Sequence, residues 1–433
     1  MSLIEEILSV ENLNEAIKKV KANKGASGID KMSVDKLEPY FNEHRKEIIE
    51  SIMNKTYRPK PVRRVYIPKS NGKLRPLGIP SVVDRVIQQA IAQKLVPIYE
   101  RIFSNHSYGF RPNRDCHMAI GEVLNNLNNG FEWVIDLDIE KYFDTVNHDK
   151  LISILRENVN DSHTLHLVRK FLQAGVMENG LTSASIVGVP QGGPLSPILS
   201  NIYLDKFDKE LEYRGLNFVR YADDCNIFVR SEKSANRVMT SVTSWLERKL
   251  FLKVSATKTK IVRPSNSNFL GFTFWKSTSG WQCKPQDNRK EKLIEKIKII
   301  LKRKHAVSRP LGDTFTKLNQ VIKGWINYFK IGNMKTWIRD TFGPWLRHKV
   351  RVTIVKQWKK TKTIYENLMK VNKAYNCGFT DEEICSVANT RLGWYRQCGT
   401  KTVNYLISAD LLSKPNKKRN RPGLVNPLLY YLR

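Results

Sequence analysis

Phe218-Val219-Arg220-Tyr221-Ala222-Asp223-Asp224-Cys225-Asn226-Ile227-Phe228 decides how this chain is read. Apolar runs at 216–219 and 226–229 flank an adjacent acidic pair, the pattern of a hairpin whose turn presents two carboxylates side by side. Neighbouring like charges repel, and a turn serving only the fold is made more cheaply from Asn-Gly or Asp-Gly. A divalent cation removes the repulsion. Hard ions such as Mg²⁺ take oxygen ligands and are commonly held by one or two carboxylates plus the phosphates of a substrate. A solvated Asp-Asp turn is the commoner meaning of such a pair taken alone, so the decision falls to the surrounding chain.

Working outward, Trp133-Val134-Ile135-Asp136-Leu137-Asp138-Ile139 alternates as a strand and places Asp136 and Asp138 on one face. Asp138 precedes Asp223 by 85 positions and can join it as a third ligand only if the two strands are neighbours in one sheet. Between them, Gly188-Val189-Pro190-Gln191-Gly192-Gly193-Pro194-Leu195-Ser196-Pro197 reads as a tight, donor-rich loop feeding a helix over 196–213. Its glycines permit a ligand close to the backbone and Gln191 offers a neutral amide, although a turn and helix start need no function. Upstream, 57–80 reads as two strands joined at Asn71-Gly72, with Lys69 and Arg75 beside the turn, where two cations suit a triphosphate as well as they suit a solvated hairpin. Ser107-Tyr108-Gly109-Phe110-Arg111-Pro112 is a turn with aromatics beside a cation, fitted either to stacking on bases or to packing.

Helical periodicity is expected over 3–22, 33–53, 82–97, 113–129 and 234–251, with a further strand at 268–275. Between the first two helices lies the polar, glycine-bearing loop 23–30. Three basic helices over 288–304, 313–330 and 334–360 carry Trp325, Trp337, Trp345 and Trp358 on apolar faces, read as the core of a small bundle with a cationic exterior.

Composition agrees with a nucleic-acid partner. The 433 residues are 41% hydrophobic and 10% aromatic, enough for two or three folded domains, yet the net charge is +32. Residues 285–433 hold 32 basic and 10 acidic side chains, net +22, which leaves +10 for the rest. An anionic membrane surface is the rival polyanion, but no apolar run approaches the ~20 residues of a spanning helix. Glu5 and Glu6 stand where a signal peptide would be basic, so a cytoplasmic protein is expected. The six cysteines form no Cys-x-x-Cys pair, which argues against a disulfide scaffold or a zinc site and for free thiols.

Taken in order, Ile67-Pro68-Lys69 through Arg75-Pro76-Leu77-Gly78-Ile79-Pro80, Tyr108-Gly109-Phe110-Arg111-Pro112, Leu137-Asp138-Ile139 with Phe143, the 190–197 loop, Tyr221-Ala222-Asp223-Asp224 and Phe269-Leu270-Gly271-Phe272 resemble the successive motifs of reverse transcriptases. With Gly324-Trp325-Ile326-Asn327-Tyr328-Phe329, similar to a maturase segment, the resemblance narrows to bacterial group II intron-encoded reverse transcriptases and covers roughly residues 15–400. It implies an α+β fold of right-hand polymerase fingers and palm followed by an all-helical thumb, divided as an N-terminal extension (1–55), fingers and palm (56–284), thumb or maturase domain (285–380) and a basic C-terminal segment (381–433). It implies that Asp138, Asp223 and Asp224, with the Ile139 carbonyl, hold two Mg²⁺ ions for which Mn²⁺ can substitute. Lys69, Arg75, Phe143, Gln191 and Ala222 correspond to the deoxynucleotide site, with Phe143 the ring that blocks a ribose 2′-OH. Arg63, Arg111, Pro112, Leu270 and Gly271 correspond to template or primer contacts. The implied partners are RNA template, intron RNA, DNA primer or target and dNTPs, with no membrane, for a monomer or homodimer. After Trp394 the family's paired cysteines and histidines are missing, so no endonuclease domain is expected. The alternatives are a reverse transcriptase serving host defence and an RNA-binding maturase without polymerase activity.

Overall fold

The computed structural model describes residues 1–68, 72, 74–178, 181–183, 187–190, 192–416 and 421–433. Lys69, Gln191 and the turn residue Asn71 therefore lie outside the described residues. The chain divides into two compact units, Met1–Phe269 and Leu270–Arg433.

The first unit opens with α1 (Leu3–Leu8) and α2 (Val10–Ala22), not one continuous helix. Ser2 and Glu5 form a reciprocal capping box on α1, and Ser9 both ends it and caps α2, so the chain turns while one apolar stripe stays buried. Next come α3 (Leu37–Met53), β1 (Val62–Pro68), β2 (Leu74–Ile79) and α4 (Val82–Glu100). The last of these runs past Pro97, where a stop was expected, because Leu95 and Tyr99 are buried on either side of it. Then follow α5 (Cys116–Asn128), β3 (Trp133–Asp138), the one-turn α6 (Tyr142–Thr145), α7 (His148–Arg156) and α8 (Ser162–Leu172). The unit ends with β4 (Val176–Glu178), β5 (Leu181–Ser183), α9 (Ser196–Tyr213), β6 (Asn217–Tyr221), β7 (Asp224–Val229), α10 (Glu232–Lys249), β8 (Lys260–Val262) and the two-residue β9 (Asn268–Phe269).

Two sheets result. One has the order β2-β1-β4-β5, with β1 antiparallel to β2 and parallel to β4. The other is antiparallel, in the order β6-β7-β3-β8. Residues of β3 and β7 bury Ile135, Leu137, Cys225 and Ile227 against α9 residues such as Ile202 and Leu204, all in one apolar core that also takes in α1, α2 and α4. Burial of this kind, at about 25 cal/mol per Å² of apolar surface, is what fixes the register of the site-bearing strands.

The second unit begins with the hairpin β10 (Phe272–Ser277) and β11 (Gly280–Pro285) and is otherwise helical. Its helices are α11 (Asp287–Ile300), α12 (Arg303–Ala306), α13 (Leu311–Phe329), α14 (Lys335–Trp337), α15 (Gly343–Trp358), α16 (Thr361–Tyr375), α17 (Asp381–Ala388), α18 (Gly393–Gln397), α19 (Lys401–Leu406), α20 (Ala409–Ser413) and α21 (Pro427–Tyr431). A π-helical turn at Ile338–Phe342 breaks the helix expected over 334–360. The bundle core is aliphatic and phenyl: Leu293, Ile297, Phe315, Leu318, Ile322, Leu346 and Val350 are buried. The four tryptophans are only half-buried. Trp325 packs on Phe329 and Trp337, and Trp337 stacks on Phe342, so indoles line the edge of the core rather than fill it. Near the end of the chain, Asn319 grips the backbone on both sides of Leu424, donating to the Gly423 carbonyl at 2.7 Å and accepting from the Val425 amide at 2.8 Å, which ties α13 to the C-terminal segment.

None of the six cysteines is in a disulfide; Cys225, Cys283 and Cys398 are buried. Among the described residues no helix is long and apolar enough to cross a membrane.

Candidate active site

The 218–228 stretch folds as the hairpin its pattern predicts, and β7 lies directly against β3. The register pairs Asp138 with Asp224 and Tyr221 with Asp224, so the three carboxylates meet at one end of the sheet. Asp136, two residues earlier, does not join them. Its Oδ1 accepts bonds from Ser267 Oγ (2.7 Å) and Asn226 Nδ2 (3.1 Å), and its burial pushes the carboxyl up to about 6.

The turn between β6 and β7 is strained and braced. Ala222 is buried and takes a left-handed φ of 57°, which an L-residue holds only when its surroundings insist. The brace is Arg220, 1% exposed, whose guanidinium donates to the Ala222 carbonyl at 2.8 Å, to Asn201 Oδ1, to Ser107 Oγ and to both oxygens of the fully buried Asp208. Asn201 in turn donates to the Gly109 carbonyl at 2.8 Å. Gly109 lies so close beneath the turn that a Cβ there would stand 2.3 Å from the Ala222 nitrogen. The 107–112 motif is therefore first a platform for the turn, joined to β6 by the Tyr108 amide on the Arg220 carbonyl and by the Arg220 amide on the His106 carbonyl.

Two of the residues expected at the template or primer are engaged within the protein itself. Arg111 is buried and donates to both oxygens of Glu100 (2.9 Å each) and to the Ser104 and Ser107 carbonyls, so its guanidinium is consumed in holding the platform. Arg63 donates through Nε and Nη2 to the Ser27 carbonyl. With Arg85 on the Ala26 carbonyl and Lys60 paired to Asp30, it clamps the 23–30 loop onto the body of the unit. In the same motif Pro112 is exposed, and Phe110, half exposed at φ 59°, is the ring left facing solvent.

Phe143 lies on α6, half-buried, with its ring edge-on to Tyr142 at 5.2 Å. Its carbonyl accepts the Val189 amide at 2.6 Å, and the Gly188 amide bonds Val146 O, so the glycine-rich loop is latched to the helix after Asp138. The glycines make this packing possible. A Cβ on Gly188 would meet the Phe143 carbonyl at 2.9 Å, and one on Gly192 the Gly78 carbonyl of β2 at 2.6 Å. A groove of about 570 Å³ runs along this seam, lined by Arg64, Tyr66, Phe143, Asp144, Gly188 and Pro190 among others. Ile139, next to Asp138, is buried and bridges to Val254. Leu270 and Gly271, at φ 51° and 83°, open the second unit, where the Leu270 carbonyl accepts Tyr328 OH at 2.9 Å.

Lys258 carried no expectation from the sequence, yet it lies on the acidic cluster. Its Nζ sits 2.8 Å from Asp138 Oδ1 and 3.0 Å from Oδ2. Burial raises the Asp223 carboxyl and Asp138 adds to the rise, while Arg75 and Lys258 pull it back. Asp224 is raised to about 6, by the protein around it first and by the Asp223 and Asp138 charges next. Its residue keeps more than a third of its surface open, so charge crowding is the cause that survives hydration. Among the described residues no three acidic, imidazole or thiol groups form a ready-made cage for an ion. Crowded carboxylates with an ammonium already on one of them are nevertheless a donor set that suits a hard cation, and a side-chain cation stands where one would bind.

Residues 67–274 match the profile described as Reverse transcriptase (RNA-dependent DNA polymerase), and 290–372 match Group II intron, maturase-specific domain. Protein YkfC of Escherichia coli (strain K12) is 36% identical over 299 residues, 60% of this chain and 78% of that protein. The chain belongs to the reverse transcriptase/maturase family of group II introns. A further member, Group II intron-encoded protein LtrA of Lactococcus lactis subsp. cremoris, is 32% identical over 353 residues, 66% of this chain and 58% of that protein. The uncharacterized 91 kDa protein in cob intron of Schizosaccharomyces pombe is 28% identical over 450 residues, 81% of this chain and 55% of that protein. The chain thus spans little more than half the length of these last two family members.

Proposed function

We propose that this chain is an RNA-directed DNA polymerase that extends a primer on an RNA template and also assists the splicing and mobility of a group II intron. The observation that carries the proposal is the register pairing of Asp138 with Asp224 beside Asp223, on a turn held in strain by Arg220 and Gly109. The reading places this sheet in the palm, β1 and β2 in the fingers and the helices after Leu270 in the thumb. Asp138, Asp223 and Asp224, with the Ile139 carbonyl, are the residues that would hold two Mg²⁺ ions. When bound, such ions stabilise the attacking and leaving oxygens of an in-line displacement.

The remaining chemistry is positioning. Arg75, within electrostatic reach of Asp223, is placed to meet the triphosphate of an incoming nucleotide, together with Lys69. Phe143 is assigned the exclusion of a 2′-hydroxyl by its bulk, with its carbonyl held by the Val189 amide. Gln191 is assigned to the nucleotide sugar and Ala222 to the primer terminus, where a larger side chain would collide. Leu270, Gly271 and Pro112 are assigned to the template–primer duplex.

The test is extension of a DNA primer on an RNA template by the purified chain with dNTPs and Mg²⁺. Asp223→Asn and Asp224→Asn are expected to bind primer-template normally and to extend it at least 10²-fold more slowly, the scale on which loss of a transition-state charge contact is felt. Phe143→Val is expected to admit ribonucleotides in the same assay. Near wild-type extension by either Asn variant would overturn the polymerase reading and leave RNA binding as the role of the fold.

A further inference from the structure

The turn that carries Lys258 is stitched to the very residue its side chain grips. The Ser255 amide donates to the Asp138 carbonyl at 2.8 Å, the Asp138 amide donates to Thr259 Oγ1 at 3.2 Å, and the Thr259 amide closes the turn on the Ser255 carbonyl at 2.9 Å. The backbone of Lys258 is thus fixed beside Asp138, while its side chain is 66% exposed and free to swing. Its ammonium reaches both oxygens of Asp138 and is close enough to ease the charges of Asp223 and Asp224 as well. These are the same atoms that the proposed function gives to a divalent ion. An ammonium seated on both oxygens of a carboxylate competes with a metal for it, by like charge and by position.

We infer that Lys258 is a built-in stand-in cation: it pairs with Asp138 and offsets part of the charge of the carboxylate trio while no divalent ion is bound, and it is displaced from Asp138 when one arrives, so that it lowers the metal affinity of the free enzyme. The inference rests on the assignment of the trio as the metal site. Because the ammonium is largely solvated, the competition is modest, worth a factor of a few in affinity and no more than about tenfold. A weak latch of this kind lets the site exist without metal and still yield to it.

The experiment titrates the full chain, without nucleic acid, with Mn²⁺, reading free ion by electron paramagnetic resonance. Lys258→Gln is expected to bind Mn²⁺ a few-fold more tightly than wild type. Lys258→Arg keeps the charge but offers a planar fork that matches a carboxylate better, so it is expected to bind Mn²⁺ no more tightly than wild type, and more weakly if its grip is firmer. In the unmodified protein, acetylation of Lys258 followed by mass spectrometry is expected to rise on adding Mn²⁺, which needs no variant to fold. Unchanged or weaker binding by Lys258→Gln, or acetylation indifferent to Mn²⁺, would overturn the inference. Asp138→Asn separates the two levels. If Mn²⁺ binding depends on Asp138 but not on Lys258, the stand-in role fails and the metal site survives; if it depends on neither, both fall.

Discussion

Asp205 shows what single residues contribute beneath the site. It lies on α9 one turn from Asp208, its Oδ1 accepts the Ser104 amide at 3.2 Å, and burial first and the Asp208 charge next raise its carboxyl to about 6. A carboxyl raised in the fold above its ordinary 3.8 adds stability that is full below about pH 4 and is lost as pH climbs through about 6. Asp205→Asn keeps the acceptor and removes that loss, up to about 3 kcal/mol at neutral pH for a shift of this size. Its melting temperature relative to wild type should therefore be higher at pH 7 than at pH 4.5; an equal difference at the two values would show that the Asp205 carboxyl is not raised in the fold. Such residues were the least legible. Asp138, Asp223 and Asp224 could be named from sequence because adjacent acids on facing strands violate ordinary folding economy. Lys258, Arg220 and Asp208 violate nothing locally, and only the packed structure shows that two of them are buried against each other and the third is on the acid trio.

Elements with a strong local period were legible, and those made by distant pairing were not. The helix beginning at Ser196 and the hairpin at Asp223 follow their patterns to the residue or nearly so. The short β4 and β5 escaped notice because three residues carry no period; β4 exists by lying parallel to β1, more than a hundred residues away. Glycines were ambiguous for a related reason, since a close approach of backbone to backbone and of backbone to ligand leave the same mark. Gly109 and Gly121 separate the cases. Gly109→Ala drives a methyl into the Tyr221–Ala222 backbone and should shift the acidic turn, costing most of the primer extension while the chain stays folded. Gly121→Ala, on α5 with open space around it, should leave extension alone and stabilise the fold by about 0.5–1 kcal/mol. Equal activity of the two variants in a primer-extension assay would deny the platform its role.

At the scale of the whole molecule the charge is lopsided, with +22 of the net +32 in residues 285–433. Lys302, Arg303, Lys304 and Lys317 are exposed on the α11–α13 region of the second unit. Each phosphate they neutralise releases counterions and adds about 0.7–0.9 to the slope of log affinity against log salt. Replacing all four with Gln should weaken binding of structured RNA at low salt and flatten that slope by up to about 3, with little change in melting temperature. An unaltered slope would move the RNA-binding face elsewhere on the unit.

The position of β3 between β7 and β8 also has a consequence for how the protein is made. The strand bearing Asp138 leaves the ribosome well before either neighbour, and β8 ends only at Val262. At about 5–20 residues per second the strand waits roughly 6–25 s for its second partner, an apolar edge exposed throughout. Slow codons or a stall between the two would lengthen that exposure, so translation tempo over this interval, as much as any side chain, governs how much of the newly made chain escapes aggregation.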